Sequence, residues 1–200
     1  MDNQINRILE KIKFLNIDLE PTLNLDIIKE YEKEFYIKFP ETYVKYLTRI
    51  QNGGASRKSL FSKNGPYYGI YSFENSMKEN NEWKIDINVE FKLIEDMEID
   101  ADNDIFLDSY INGTIPICEY GCGEFFRLIV NGNKNGEVIA ISLEDNADGE
   151  LYLSGIYFMN VDILTFYENW LDRRIRYNDK LINAYYSFLE FGKNNKYKVI

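Results

Sequence analysis

GTIPICEYGCGEFFRLIVNGNKNGEVIAISLEDNADGELYLSG, residues 113–155, decides the fold. Runs of Ile, Val, Leu and Phe alternate with short breaks carrying glycine and asparagine. The pattern predicts strands near 114–118, 124–130, 137–143 and 151–157. NGNKNG (131–136) and NADG (146–149) have turn chemistry, and Asp148-Gly149 is a hairpin signal. Strands joined this tightly pair antiparallel, because parallel pairing needs a long crossover. The stretch is an antiparallel meander.

The chain on either side reads as helical. Ile5, Ile8, Leu9, Ile12 and Leu15 share one face of residues 3–15. Asn24 is placed to cap a second helix with Ile27, Ile28, Tyr31 and Phe35 inward. FPETYVKYLTRIQNGG (39–54) puts Tyr43, Val44, Leu47 and Ile50 on one stripe. A proline suited to a first turn precedes that stripe, and Asn52-Gly53, suited to a left-handed stop, follows it. Residues 52–66 read as a polar loop, 67–74 (YYGIYSFE) as a strand and 75–84 as a short helix. Residues 85–112 fit either a helix around 90–98 or an insertion. After the meander, Asn160 is expected to cap a helix carrying Ile163, Leu164, Tyr167, Trp170, Leu171 and Ile175, and a last helix spans 179–191. The expected fold is α+β, a mostly antiparallel sheet flanked by N- and C-terminal helices in one domain over 1–200. Its core covers about 25–175, with the helices at 3–15 and 179–191 as extensions.

Composition narrows the function. The net charge of −10 repels phosphate backbones and anionic lipid, so neither nucleic acid nor membrane is an expected partner, while a basic one is favoured. The chain has no histidine, which removes Ser-His-Asp and Cys-His catalysis and histidine-ligated zinc. Two cysteines make no disulfide framework, and the opening residues lack the continuous apolar core of a signal peptide, so a cytoplasmic location is expected. No cofactor or metal is expected either. Asp100, Asp102 and Asp104 alternate like the start of a calcium loop, but Ile105 and Ile111 stand where glycine and a bidentate glutamate are required. Cys118 and Cys122 lack further ligands for zinc and read as small, partly buried thiols. No phosphate-binding loop occurs.

The stronger signal is where the acids lie. Residues 95–109 carry Glu95, Asp96, Glu98, Asp100, Asp102, Asp104 and Asp108, and residues 144–150 add Glu144, Asp145, Asp148 and Glu150. Gathering like charge costs stability, so such segments suit a cationic partner. Tyr67 and Tyr68, with Tyr71 and Tyr120, are candidate aromatic anchors on or beside loops.

Two motifs carry a family likeness. IKEYEKEFYIKFPETYVKYLTRIQNGG has a glutamate-rich helix end, then Phe39-Pro40-Glu41, then a helix closing on Asn52-Gly53-Gly54. Ile115-Pro116-Ile117, Gly121 and Gly123-Glu124 follow in order, with the helix of Phe166 and Trp170 behind. In these residues the chain resembles the SUKH superfamily over roughly 25–175. Glu124 stands where aspartate is commoner, and 85–112 is longer than the usual connection. The resemblance implies a mixed sheet flanked by helices. For bacteria it implies a non-catalytic immunity protein that occludes the active site of a cognate toxin, often a nuclease or deaminase. The alternatives are a regulatory protein-binding scaffold and an enzyme run on carboxylates. Pro40, Glu41, Asn52, Gly53, Gly54, Pro116, Gly121, Gly123, Glu124 and Trp170 are assigned to the fold.

Overall fold

Four strands of the meander form as expected, and three of them run longer than the sequence pattern indicates. The computed structural model describes residues 2–17, 19–53, 70–98, 110–121, 123–145 and 151–177. Within them the order is α1 (Asp2–Leu15), α2 (Leu25–Glu34), α3 (Glu41–Arg49), α4 (Phe73–Glu82), β1 (Met97–Glu98), β2 (Thr114–Gly121), β3 (Glu124–Ile129), β4 (Glu137–Asp145), β5 (Leu151–Asp162) and α5 (Ile163–Tyr177). The strands form one sheet in the order β1-β5-β4-β3-β2, and every pair is antiparallel. The expected mixed sheet is thereby corrected. The one parallel pairing among the described residues is an isolated bridge between Phe91 and Gly132. The predicted hairpin residues Asp148 and Gly149 and the predicted helix at 179–191 lie outside the described residues.

Strand alternation gives the sheet two apolar faces. Phe126, Leu128, Val138, Ala140 and Tyr157 face a core built with α1, α3, α4 and α5, through Ile8, Leu47, Phe73 and Leu164 among others. Phe125, Ile129, Ile139, Ile141, Ile156 and Phe158 face a second core, closed by Ile85, Phe91 and Ile111. Much of the aromatic content is packing. The Phe73 ring meets Tyr31 edge-on at 4.9 Å and Phe39 at 5.2 Å, which joins α2, α3 and α4.

Three sequence expectations change here. Residues 67–74 do not form a strand where they are described. Ile70 makes only an isolated bridge to Cys118, and α4 starts at Phe73, because the Ser72 side chain accepts from the Asn75 backbone and nucleates a helix. Residues 90–96 are not helical. The preceding segment is tied to the β3–β4 turn, where Asn131 donates to the Ile87 and Asn88 carbonyls and Phe91 N–H donates to the Asn131 carbonyl. Asn160 does not cap α5. It sits in β5 at φ 55°, and the cap is Asp162, whose carboxylate accepts from Thr165 N–H at 2.7 Å.

The β2 edge of the sheet is obstructed, and the other edge is β1, only two residues long. On β2, Tyr71 N–H donates to the Ile117 carbonyl, and the Asn80 side chain donates to the Thr114 carbonyl at 2.7 Å. On β5, β1 covers Gly155 and Ile156, and Asp96 accepts from Phe158 N–H. Covered edges discourage strand-to-strand association, so contacts with another protein fall to side chains and loops.

Helix α1 is more than an appendage. Ile5, Ile8 and Ile12 belong to the helix-side core, and α1 lies along α5. Arg7 donates two hydrogen bonds to the Glu168 carboxylate, at 2.9 and 3.0 Å, and Lys11 donates a third at 2.9 Å before reaching Asp172. Burial raises the Glu168 pKa, but the Arg7 and Lys11 hydrogen bonds outweigh it and the net value is lowered. A lowered carboxyl contributes stability that is present above the ordinary glutamate range and is lost as pH falls through the folded-state value. Glu168→Gln should therefore cost about 1–2 kcal/mol at neutral pH in urea unfolding. The gap between variant and parent should close as the pH drops below that range. A pH-independent gap would contradict the assignment.

Candidate protein-contact surface

Antiparallel register gathers acids that are far apart in the chain. Glu98 pairs with Gly155, Gly155 with Ser142, Ser142 with Glu124 and Glu124 with Gly121. This is one row across all five strands. Residues in such a row share a face, here the one that carries Phe126 and Ala140 further along. The helices cover that face elsewhere, whereas this row holds polar and acidic residues. Glu144, opposite Tyr152, lies one step beyond the row, with the Tyr152 hydroxyl donating to its carboxylate at 3.1 Å.

The turn that starts β3 is built around Gly123. Its φ is 82°, and a Cβ there would fall 2.4 Å from the Leu143 carbonyl oxygen. Leu143 N–H donates back to the Gly123 carbonyl at 2.8 Å, so the β2–β3 turn is sewn onto β4. Glycine is required on both counts.

A second acidic group lies where α4 packs on β2. Burial raises the pKa of Glu79, and the charges of Glu82 and Glu119 raise it further. The Tyr71 hydroxyl donates to Glu119 at 3.4 Å. Behind them lies Arg127, fully buried on β3. Its Nε donates to Thr114 Oγ1 at 2.7 Å, one Nη donates to Asn80 Oδ1 at 2.5 Å, and the guanidinium sits 5.6 Å from the Trp83 ring centre. Nη1 has no hydrogen-bond partner. Burial pulls the Arg127 pKa down while the Glu79 charge pulls it up. No carboxylate lies within 4 Å of Arg127 among the described residues, so Thr114 and Asn80 hold a charge that Glu79 supports only at longer range.

Of the residues read from the sequence as partner-binding, Glu98 and Glu144 are exposed and Asp145 ends β4. Asp100, Asp102, Asp104, Asp108, Asp148, Glu150, Tyr67 and Tyr68 lie outside the described residues. β1 and β4 run in the same direction, so the segments that follow Glu98 and Asp145 leave the described structure from the same end of the sheet. Tyr71 is half-buried against Glu119. Glu79, Glu82 and Glu119 did not stand out in the sequence. The spacing of Glu79 and Glu82 on one helix was a local signal, but only the packing of α4 on β2 joins them to Glu119.

The motif residues have structural tasks. Phe39 N–H donates to Glu32, buried Pro40 is the residue before α3, and Glu41 pairs with Lys45 at 2.6 Å. Asn52 does not end α3 in a left-handed turn, because α3 closes at Ile50. Instead its side chain accepts from Phe73 N–H at 2.8 Å and donates to Glu74, holding the start of α4. Gly53 has φ 90°, and a Cβ there would meet Ser72 N at 2.8 Å. Pro116 is buried opposite Arg127, Trp170 stacks on Tyr167 at 5.4 Å, and Gly54 lies outside the described residues. Cys118 is buried, and burial raises its thiol pKa, which makes it an unreactive core residue.

Among the described residues no group of three or more His, Cys, Asp or Glu side chains is arranged to hold a metal ion, and no helix is long and apolar enough to cross a membrane. A model of the SMI1 / KNR4 family (SUKH-1) matches residues 22–156, more than half the chain. No curated protein and no solved structure matches.

The buried guanidinium makes Asn80 a test of this arrangement. Asn80→Ala takes an acceptor from a desolvated cation and should lower stability by about 2–3 kcal/mol in urea unfolding. Asn81→Ala, at an exposed neighbour, should stay within about 0.5 kcal/mol of the parent. Equal effects would mean that Asn80 carries none of the charge.

Proposed function

The chain belongs to the SMI1 / KNR4 family (SUKH-1), and on that premise we propose that it is a non-catalytic immunity protein that occludes the active site of a basic, nuclease- or deaminase-like toxin. At the level of the family, immunity and regulatory protein binding are both represented. The observation that favours toxin binding is the acidic end of the sheet. Register collects Glu98, Glu124 and Glu144 there, and Glu79, Glu82 and Glu119 form a second acidic group where α4 packs on β2.

Mutual repulsion in such a cluster is relieved when a cationic surface arrives. A nucleic-acid-cutting toxin carries that kind of surface, because it must bind phosphates. The acidic segments 95–108 and 144–150 steer the encounter. Tight inhibition needs buried aromatic contacts as well as charge, since a nanomolar complex requires about −12 kcal/mol. Tyr67 and Tyr68 are the proposed anchors. Blocking a groove calls for no reacting group on this chain, and the absence of histidine fits that mode of action.

The test uses the purified product of the neighbouring reading frame. If it is a toxin and this chain its inhibitor, association should slow at least about tenfold between low and high salt. Reversing Glu98 with Glu144, or Asp102 with Asp104, should slow association by about fivefold at low salt and change dissociation little. A rate indifferent to salt and to both charge reversals would rule out steering by this end. No binding at all, with no protection of cells from the neighbouring product, would favour the regulatory scaffold.

A further inference from the structure

Helices α1 and α5 run parallel and meet rung by rung along one seam. Gln4 Nε2 donates to Thr165 Oγ1 at 3.2 Å, Arg7 donates to Glu168 at 2.9 and 3.0 Å, and Lys11 pairs with Asp172 at 2.6 Å. The two partners in every rung stand 161 positions apart. Gln4, Arg7 and Lys11, like Thr165, Glu168 and Asp172, repeat at the three-then-four spacing that keeps a series on one helical stripe. The next residues in that spacing are Phe14 and Ile175, again 161 apart.

The chemistry changes at this fourth rung. The first three are polar and closed by hydrogen bonds or ion pairs, whereas Phe14 is 73% exposed and Ile175 is 37% exposed. Single exposed apolar side chains are common on proteins. Two that stand level at the end of a seam mark a contact left open among the described residues.

Chain continuity selects the occupant. α5 ends at Tyr177, so the residues that follow begin within one helical turn of Ile175. Residues 179–191 carry Leu181, Ile182, Tyr185, Phe188 and Leu189 at helical spacing, and a helix of this length is marginal in water until its apolar stripe is packed. So short a tether holds them near the rung at an effective concentration of about millimolar, which a separate molecule does not match. Charge agrees. The last six residues of α1 and of α5 together hold five basic side chains and two acids, in a chain of −10. That end turns away the basic partner proposed above, whereas residues 179–191, with Asp179, Lys180 and Glu190, have a balance of −1.

We propose that residues 179–191, which lie outside the described residues, fold back as a helix and pack Leu181, Ile182 and Tyr185 on Phe14 and Ile175. α1, α5 and this segment all lie outside the matched residues 22–156, so the contact joins the two ends of the chain beyond the matched region. It does not depend on the function proposed above.

Amide hydrogen exchange and thermal melting of the full chain test it. In the parent, the amides of residues 183–191 should exchange at least about tenfold more slowly than those of a free chain. Phe14→Ser should abolish that protection and lower the melting temperature by about 2–4 °C, even though Phe14 is exposed in the described fold. Lys13→Ser, at an exposed neighbour on α1, should change neither. Tyr185→Ser alters no described residue; it should lower the melting temperature by a similar amount and add little to Phe14→Ser when the two are combined. Free-chain exchange over 183–191 in the parent, or protection indifferent to Phe14→Ser, overturns the proposal. Protection that rises with protein concentration also overturns it, and assigns the open rung to a second copy of the chain.

Discussion

The contact between Gly123 and Leu143 is the constraint on which the acidic end depends. Two backbones approach so closely that no side chain fits at Gly123, and the pair is closed by the hydrogen bond from Leu143 N–H. This happens beside the register shift between Ser142 and Leu143, where an irregular strand has lost part of its ladder. The contact sets β3 against β4 so that Glu124 faces Ser142, and the row runs on through Gly155 to Glu98. A slip of one residue would send Glu124 to the other face and Phe125 into water.

Charge is treated differently at the two places where it gathers. Along α1 and α5, Glu168 and Asp172 are matched by Arg7 and Lys11, and the ion pairs fasten one helix to another. At the junction of α4 and β2, burial and the charges of Glu82 and Glu119 raise the Glu79 pKa, Lys78 pairs with Glu82 at 3.5 Å, and a guanidinium lies buried behind them. The first arrangement stabilises the fold. The second holds Glu79 against like charge, which suits a molecule that meets something positive. That contrast, more than the total of −10, supports reading the acidic end as a contact surface.

Much of this was legible in the residues. Glycine-punctuated apolar runs marked the four long strands, and helical periodicity marked α1, α2, α3 and α5. The Pro-Glu and Asn-Gly-Gly steps marked the family. The misses share a cause. Aromatic residues at 67–74 suggested a strand, yet Ser72 caps a helix and Phe73 packs inside it. Asn160 looked like a cap because asparagine suits one, but the carboxylate two residues on reached the free N–H first. Residues 85–91 have no periodicity of their own, because Asn131, some forty residues away, holds them. In the candidate site, Glu98 and Glu144, which the sequence reading assigns to partner binding, are exposed. Glu79, Glu82 and Glu119 were invisible as a group, since they adjoin only after α4 docks on β2.

Amide hydrogen exchange on this chain, alone and saturated with the product of the neighbouring reading frame, addresses the central claim most directly. Slower exchange should appear in the β2–β3 turn around Gly121–Glu124 and in the flanks of the β4–β5 connection, with α1 and α5 unaffected. Protection confined to the helices, or none with the complex formed, would contradict an account in which the acidic end of the sheet covers another protein.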